Sequence, residues 1–150
     1  MAIALVPAGP DDLEALLGPV ARFNAEQGYA FDEPTARGAL AELLARPELG
    51  RVYRIASDDR PVGYAVLCFG WSLEWGGRDA FLDEIYLEPP ARGQGVGRAA
   101  LDALLETARE LGVRAVHLEV EAANEAGQRL YRGAGFVGNE RRILTRPLDR

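Results

Sequence analysis

The stretch from Arg92 to Gly97 constrains the fold of this chain more than any other segment. It lies between a strand-like run, Phe81 to Leu87, and a long amphipathic helix, and three alternating glycines open that helix. The first N–H groups of a helix have no intrahelical partner and lie at the positive end of its macrodipole, so they bind anions readily. Because Arg92 and Arg98 add positive charge, the segment predicts a site for a phosphorylated ligand, in particular a pyrophosphate.

Length and charge limit the class of protein. A chain of 150 residues predicts one domain over 1–150. A formal charge of -6 argues against nucleic-acid binding and is compatible with a cationic partner. No apolar run approaches the roughly 20 residues of a membrane helix, and the first ten residues do not resemble a secretion signal. We therefore expect a cytoplasmic protein with no membrane partner.

Three residue types exclude particular chemistries. A single cysteine, Cys68, rules out an internal disulfide framework, and one histidine, His117, makes a metal site of the usual ligands improbable, so no metal is expected. Every basic residue is arginine, which excludes a Walker P-loop lysine and Schiff-base chemistry. Cys68 is expected to be a buried apolar group and His117 a structural partner of a neighbouring side chain.

Hydrophobic periodicity predicts an α+β fold. Helices are expected from residue 11, from residue 34, over 96–111 and over 124–133, and strands over 2–6, 52–56, 62–69, 81–87, 115–120, 136–137 and 141–145. These give a central mixed, mostly antiparallel sheet of six to seven strands with about four helices on its two faces. The fourth and fifth strands, joined by one helix, form the single parallel pair.

The glycine segment allows three interpretations. Gly95, Gly97 and Ala100 satisfy the dinucleotide fingerprint G-x-G-x-x-G/A, and Glu119 lies near the expected ribose-binding acid. Residues 88–92 separate the strand from the first glycine, however, and one βαβ unit is too little for a doubly wound sheet. A dinucleotide-binding domain is therefore a remote alternative, as is a helix entry that binds no ligand.

The third interpretation is a resemblance carried by two motifs. Arg92-x-x-Gly95-x-Gly97 after a strand resembles the R/Q-x-x-G-x-G/A signature of the GNAT superfamily of N-acetyltransferases. A second segment is similar to that superfamily's N-x-x-x-x-x-L-Y-x-x-x-G-F motif and consists of Asn124, Leu130, Tyr131, Gly135 and Phe136. The chain departs from the family at Gly127, three residues after Asn124, where the small residue is most often alanine rather than glycine. Glycine there weakens the helix by about 1 kcal/mol relative to alanine.

The resemblance implies acetyl-CoA as the co-substrate. Its pyrophosphate would rest on the glycine loop, and its pantetheine arm would pair with the exposed backbone of a fourth strand that splays from the fifth. The amide of Leu87 would then bind the thioester oxygen. The implied cofactor-binding residues are Ile85, Tyr86, Leu87, Arg92, Gly93, Gln94, Gly95, Val96, Gly97, Arg98, Asn124 and Tyr131.

Three residues are candidates for proton transfer. The tyrosine of the second motif, Tyr131, resembles the family's general acid, which protonates the leaving thiolate; its alternative role is to pack the last helix on the sheet. A protonated amine must also lose a proton before it attacks, and Asp83 or Glu84 on the fourth strand is the candidate base. Strict alternation would direct only one of the two into the cleft. Either acid would otherwise bind an arginine.

The acceptor side is less well defined. Tyr29 and Phe31, in the loop between the first two helices, and Glu74, between two tryptophans, are candidate substrate-binding residues. Asn124 would bind the pantetheine chain, cap the last helix, or do both.

Together these features predict an N-acetyltransferase that moves the acetyl group of acetyl-CoA to a primary amine in a ternary complex. A small cationic amine or a peptide or protein amine is the expected acceptor. A non-catalytic acyl-CoA-binding or sensing module is the alternative on the same fold. Many members of the superfamily dimerise, so the resemblance also implies a homodimer.

Overall fold

A five-stranded mixed sheet forms the centre of the computed structural model, which describes residues 1–148. The strands follow one another across the sheet in chain order. Their bounds are β1 Ile3–Pro7, β2 Gly50–Ser57, β3 Arg60–Ser72, β4 Gly77–Leu87 and β5 Val116–His117. All neighbouring pairs are antiparallel except β4 and β5, which are parallel as predicted.

Four α-helices are described in residues 1–148: two lie between β1 and β2, one lies between β4 and β5, and one follows β5. Their bounds are α1 Leu13–Gln27, α2 Glu33–Ala45, α3 Val96–Glu110 and α4 Glu125–Gly133. Local sequence sets their ends: the Asp32 carboxylate accepts the Thr35 N–H at the start of α2, and Gly28 ends α1 in the left-handed conformation. In the part of the chain described, no helix is long and apolar enough to cross a membrane.

The helices cover both faces of the sheet, as predicted. On one face, Leu101 and Leu104 of α3 pack with Ile55 and Leu67 of the central strands. On the other face, Leu16 of α1 and residues of α2 pack in a second cluster with the tyrosines of β3 and β4. The helices α1, α2 and α3 therefore each bury an apolar side in the core.

A β-bulge in β4 determines where the sheet divides. The register pairs Glu84 with Val66 and Leu82 with Leu67. Asp83 is therefore an additional residue that has no paired residue on β3. On its other side β4 pairs with β5 only at Ala80 and Phe81. The two parallel strands therefore separate just before the bulge and leave a cleft between them.

The closing strands expected over 136–137 and 141–145 are not strands in the structure. Five strands are described in residues 1–148, where six to seven were predicted, and β5 has two residues rather than the six expected over 115–120. A strand requires a partner whose backbone is in register. Because β5 ends at His117, the segment after α4 has no extended edge beside it, and residues 137–148 are exposed.

The α3 cluster provides a first prediction. Leu104 is 1% exposed and Leu144 is 92% exposed, so the same truncation should have opposite consequences at the two positions. Leu104→Ala is expected to lower the free energy of unfolding by about 2–5 kcal/mol because it leaves a cavity. Leu144→Ala should change it by less than about 0.5 kcal/mol. Urea unfolding followed by circular dichroism measures both, and equal losses would contradict this packing.

Candidate functional site

A cavity of about 460 Å³ lies where β4 and β5 separate. It is bounded by β4, by the segment that follows β5, by the end of α1 and by Tyr131 of α4. Its wall carries four carboxylates and four aromatic side chains, namely Asp83, Glu84, Glu119, Glu121, Phe23, Tyr29, Phe81 and Tyr131. No arginine or histidine of residues 1–148 lines it. The cleft is therefore acidic and partly aromatic.

Asp83 and Glu84 both line this cleft, so the expectation that only one of them faces it is wrong. Alternation holds for a regular strand, but the bulge at Asp83 interrupts the pleat and lets two consecutive side chains reach the same space. Asp83 is exposed at the mouth, whereas Glu84 is half-buried. Although Asp83 is open to solvent on one side, desolvation by the surrounding protein raises its pKa.

Glu84 is held by a buried tyrosine. The Tyr64 hydroxyl donates a hydrogen bond to Glu84 Oε1 at 2.6 Å, and the Tyr64 residue is fully buried. Desolvation raises the pKa of Glu84, and the charge of Asp83 raises it further, while the hydrogen bond from Tyr64 lowers it. A carboxylate whose pKa is raised towards neutrality is suited to accept a proton from a substrate.

Backbone N–H groups of β4 border the cleft. The Glu88 N–H donates to the Val62 carbonyl on β3 at 2.8 Å, and successive residues of an antiparallel strand direct these groups to opposite sides. The N–H groups of Ile85 and Leu87 therefore face away from β3, on the side that β5 has already left. They form an edge that an extended ligand can pair with.

The glycine loop opens α3 as a side-chain-free N-terminus. Gly95 is the N-cap residue, with a φ of 81° and no side-chain cap, and Gly93 has a φ of 75°. The first helical bond runs from Ala99 N–H to the Gly95 carbonyl, so the three preceding N–H groups of the helix have no partner within it. A Cβ atom at Gly95 would meet nothing within 4 Å, so the space over the loop is open.

The two flanking arginines are engaged with the protein. Arg92 Nε donates to the Leu87 carbonyl at 2.9 Å, and its terminal nitrogen pairs with Glu26 at 2.6 Å. Arg92 therefore ties the end of β4 to α1 beside the loop. Arg98 pairs with Asp102 one turn further along α3 and remains exposed.

Residues of the second motif lie across the cleft from β4. Tyr131 is half-buried against Phe136, and desolvation raises the pKa of its phenol, which keeps it protonated at neutral pH. Asn124 caps α4 by accepting the Gly127 N–H at 2.9 Å, and it also lines the cleft. A Cβ atom at Gly127 would lie 2.4 Å from Asn124 Nδ2, so glycine leaves room for this position of the amide.

Of the three candidate substrate residues, the structure brings one to the cleft. Tyr29 lines it and is 51% exposed. Phe31 is exposed on the connection between α1 and α2, outside the lining. Glu74 lies in the tight turn between β3 and β4, where it forms a two-pronged ion pair with Arg141.

Several lining residues were not identified from the sequence. They are Phe23, Asn24, Gln27, Phe81, Leu82, Leu118, Val120 and Glu121. One signal was available, since Glu119 and Glu121 are separated by one residue and face the same side of an extended segment. No local pattern could associate α1 residues with β4, because only the tertiary fold brings them together.

A second, more open cavity of about 590 Å³ lies between the β2–β3 turn and Gln94. Arg60, Asp58 and Glu88 border it, but the candidate acids and Tyr131 do not. Although it is larger, it does not carry the reactive groups that the cleft combines.

His117 has a structural partner, as expected, whereas Cys68, which was expected to be buried, is half-buried. His117 Nε2 lies 3.0 Å from Asp79, and its ring packs against Phe81. Burial raises the pKa of the half-buried Cys68 thiol to about 11, so it is not a thiolate at neutral pH.

Comparison with known proteins identifies one family. The profile described as "Acetyltransferase (GNAT) family" matches residues 19–136. An uncharacterized N-acetyltransferase of Mycobacterium tuberculosis is 33% identical over 113 residues, which cover 75% of this chain and 69% of that protein. The thialysine N-epsilon-acetyltransferase of Bos taurus is 35% identical over 74 residues, 49% of this chain and 43% of the bovine protein. The chain therefore spans less than half the length of that relative.

Solved structures share the whole fold. An integron cassette protein from the mobile metagenome of Cole Harbour Salt Marsh is 35% identical, with a TM-score of 0.85 over 97% of this chain and 91% of that one. A predicted acetyltransferase from Clostridium acetobutylicum, solved with acetyl-CoA, has a TM-score of 0.79 over 97% of this chain and 96% of that one. At 18% identity the second likeness concerns the fold alone.

The glycine loop provides a second prediction. Gly95→Ala should lower the free energy of unfolding by about 1–2 kcal/mol, because a side chain is strained at a φ of 81°. Gly38→Ala in α2 is the matched control, since Gly38 lies inside a helix and an added Cβ meets nothing within 4 Å. That change should raise stability by up to about 1 kcal/mol. Thermal unfolding of both variants measures the difference, which would vanish if Gly95 were free to adopt a negative φ.

Proposed function

Because the chain belongs to the acetyltransferase (GNAT) family, we propose that it transfers the acetyl group of acetyl-CoA to a cationic primary amine bound in the acidic cleft. The observation that carries this proposal is that three features border the same cavity. The unpaired edge of β4, the half-buried Glu84 and the phenol of Tyr131 all border the cavity where β4 and β5 separate.

The chain's donor side fits acetyl-CoA. The side-chain-free N-terminus of α3 is suited to the pyrophosphate, and the N–H groups of Ile85 and Leu87 are suited to an amide-bearing pantetheine arm. The Leu87 N–H would stabilise negative charge on the thioester oxygen. Arg92 supports this edge by holding the Leu87 carbonyl rather than by projecting freely into the loop.

Glu84 would act as the general base and Tyr131 as the general acid. Acetyl-CoA supplies an activated thioester, whose C–S bond breaks as the amine nitrogen bonds to the acetyl carbon. Glu84 accepts a proton from the attacking amine, directly or through water, because its raised pKa brings it closer to the working pH. Tyr131, kept protonated by burial, donates its phenolic proton to the departing thiolate, and the phenolate recovers a proton from the acylated nitrogen, directly or through water, which leaves the neutral amide. Both groups line one cavity from opposite sides.

The acceptor end of the cleft favours a cation. Asp83, Glu119 and Glu121 add three carboxylates to Glu84, and the rings of Phe23 and Tyr29 can face an ammonium group. The acidic lining favours an amine with a second positive charge over an amine that carries a carboxylate. One relative is named for the ε-amine of thialysine, which makes thialysine a suitable member of an acceptor panel.

A panel of amines tests the proposal. Purified protein with acetyl-CoA is expected to release thiol when putrescine or spermidine is added, and lysine and thialysine, which carry both a second ammonium group and a carboxylate, should be slower acceptors. The kcat/KM for putrescine should exceed that for β-alanine by at least about tenfold, since an acidic cleft attracts cations and repels carboxylates. This preference should decline at high salt. Tight CoA binding without turnover of any amine would instead support the non-catalytic acyl-CoA-binding module.

Two substitutions test the proton-transfer roles. Glu84→Gln and Tyr131→Phe should each lower kcat by about 100-fold, because general acid or base catalysis contributes at least that factor. The control is Glu106→Gln, which removes an exposed carboxylate of α3 that pairs with Arg109. It should leave kcat unchanged. Steady-state thiol release measures all three, and a near-normal kcat in Glu84→Gln would reassign the base.

A further inference from the structure

We propose that Tyr64 is a positioning residue that holds the Glu84 carboxylate at the floor of the cleft and sets the pH at which it accepts a proton. This inference rests on the proposed role of Glu84 as base. It assigns a function to a buried tyrosine of the neighbouring strand, which itself has no surface in the cleft.

The register of β3 and β4 produces this contact. Tyr64 is opposite Tyr86 and Val66 is opposite Glu84, so Tyr64 and Glu84 are diagonal neighbours on one face of the sheet. Diagonal neighbours in an antiparallel pair are within reach of long side chains. The Tyr64 hydroxyl spans this diagonal and donates to Glu84 Oε1 at 2.6 Å. Within residues 1–148, no hydrogen bond is formed to the second carboxylate oxygen of Glu84.

The ring of Tyr64 is fixed by aromatic packing. Its centroid lies 5.9 Å from that of Tyr86 and 6.5 Å from that of Phe23, and the residue is 0% exposed. A hydroxyl on a ring that cannot move directs one carboxylate oxygen inward. The hydrogen bond also stabilises the charged form of Glu84 against the desolvation that favours the neutral acid.

The titratable groups that face Glu84 come from several elements. They are Tyr64 and Cys68 of β3, Asp83 of β4, Glu119 and Glu121 after β5, Tyr29 after α1, and Tyr131 of α4. Among them, the charge of Asp83 raises the pKa of Glu84 and so disfavours its charged form. Tyr64 is the group that donates a hydrogen bond to it, so removing its hydroxyl should shift protonation in one direction.

The test is the pH profile of Tyr64→Phe, which keeps the ring and removes the hydroxyl. The acid limb of kcat/KM should move to higher pH. On that limb the variant should be about tenfold slower than the wild type, since a hydrogen bond to a charged group changes an ionisation equilibrium by at least about that factor. On the alkaline side the two rates should agree within about twofold. Tyr53→Phe is the matched control, because Tyr53 is a buried tyrosine of the opposite core cluster.

A second measurement is independent of turnover. In protein labelled with ¹³C at glutamate side-chain carboxyls, the Glu84 resonance, identified by its loss in Glu84→Gln, should titrate at higher pH in Tyr64→Phe than in the wild type. In wild-type protein the Tyr64 ¹³Cζ resonance should follow the same titration, which covers the case of a variant that does not fold.

The outcomes separate the two proposals. A rate loss that is equal at all pH values, with an unchanged Glu84 titration, would show that Tyr64 only fills the core. A Tyr64 ¹³Cζ resonance that does not follow Glu84 would contradict the coupling in the wild type. If no amine is acetylated but the carboxyl titration shifts, the proposed function fails and the link between Tyr64 and Glu84 stands.

Discussion

The separation of β4 from β5 is the constraint on which the rest of the site depends. The two strands pair at only two positions, and the bulge at Asp83 follows immediately. Without the separation, the N–H groups of Ile85 and Leu87 would be bonded to a neighbouring strand. Without the bulge, Asp83 and Glu84 would point to opposite faces of the sheet. The separation and the adjoining bulge together yield an open backbone edge, a cavity and two carboxylates directed into it.

The charged form of Glu84 is disfavoured electrostatically in the cleft, and neighbouring polar groups partly offset this. Burial disfavours the charge on Glu84, and Asp83 adds like-charge repulsion. Tyr64 opposes both effects with one hydrogen bond from a ring that the core holds in place. At the end of the same strand, Arg92 joins the Leu87 carbonyl to Glu26 of α1. Tyr64 therefore stabilises β4 from the side of β3, and Arg92 provides a polar contact at the end of the edge that β5 leaves open.

The donor half of the proposed site is formed by backbone groups, whereas the acceptor half is formed by side chains. The donor half uses backbone groups: the N-terminus of α3 and the edge of β4. The acceptor half uses side chains from α1, β4, the segment after β5 and α4. Backbone geometry is a property of the fold, which this chain shares with its relatives over almost its full length. The acceptor half depends on individual side chains, so a shared fold carries less information about the amine.

The sequence by itself determined the helices, the parallel pairing of β4 with β5 at one edge of the sheet, and the glycine loop. Each of these depends on local chemistry: apolar periodicity, an N-cap aspartate, or glycines that adopt a positive φ. It also identified Tyr131, Asp83 and Glu84 as neighbours of one cleft, through the motifs that surround them. Predicting closing strands from the same kind of alternation failed, because a strand also requires a partner, and β5 ends at His117.

Only the tertiary structure decided how the two acids of β4 differ. The register between β3 and β4 places the bulge at Asp83 and the Tyr64 hydroxyl against Glu84, and neither follows from the residues of one strand alone. The same holds for the α1 side chains that face β4 across the cleft. Local sequence specifies conformation within an element, whereas contacts between distant elements depend on how the whole core packs.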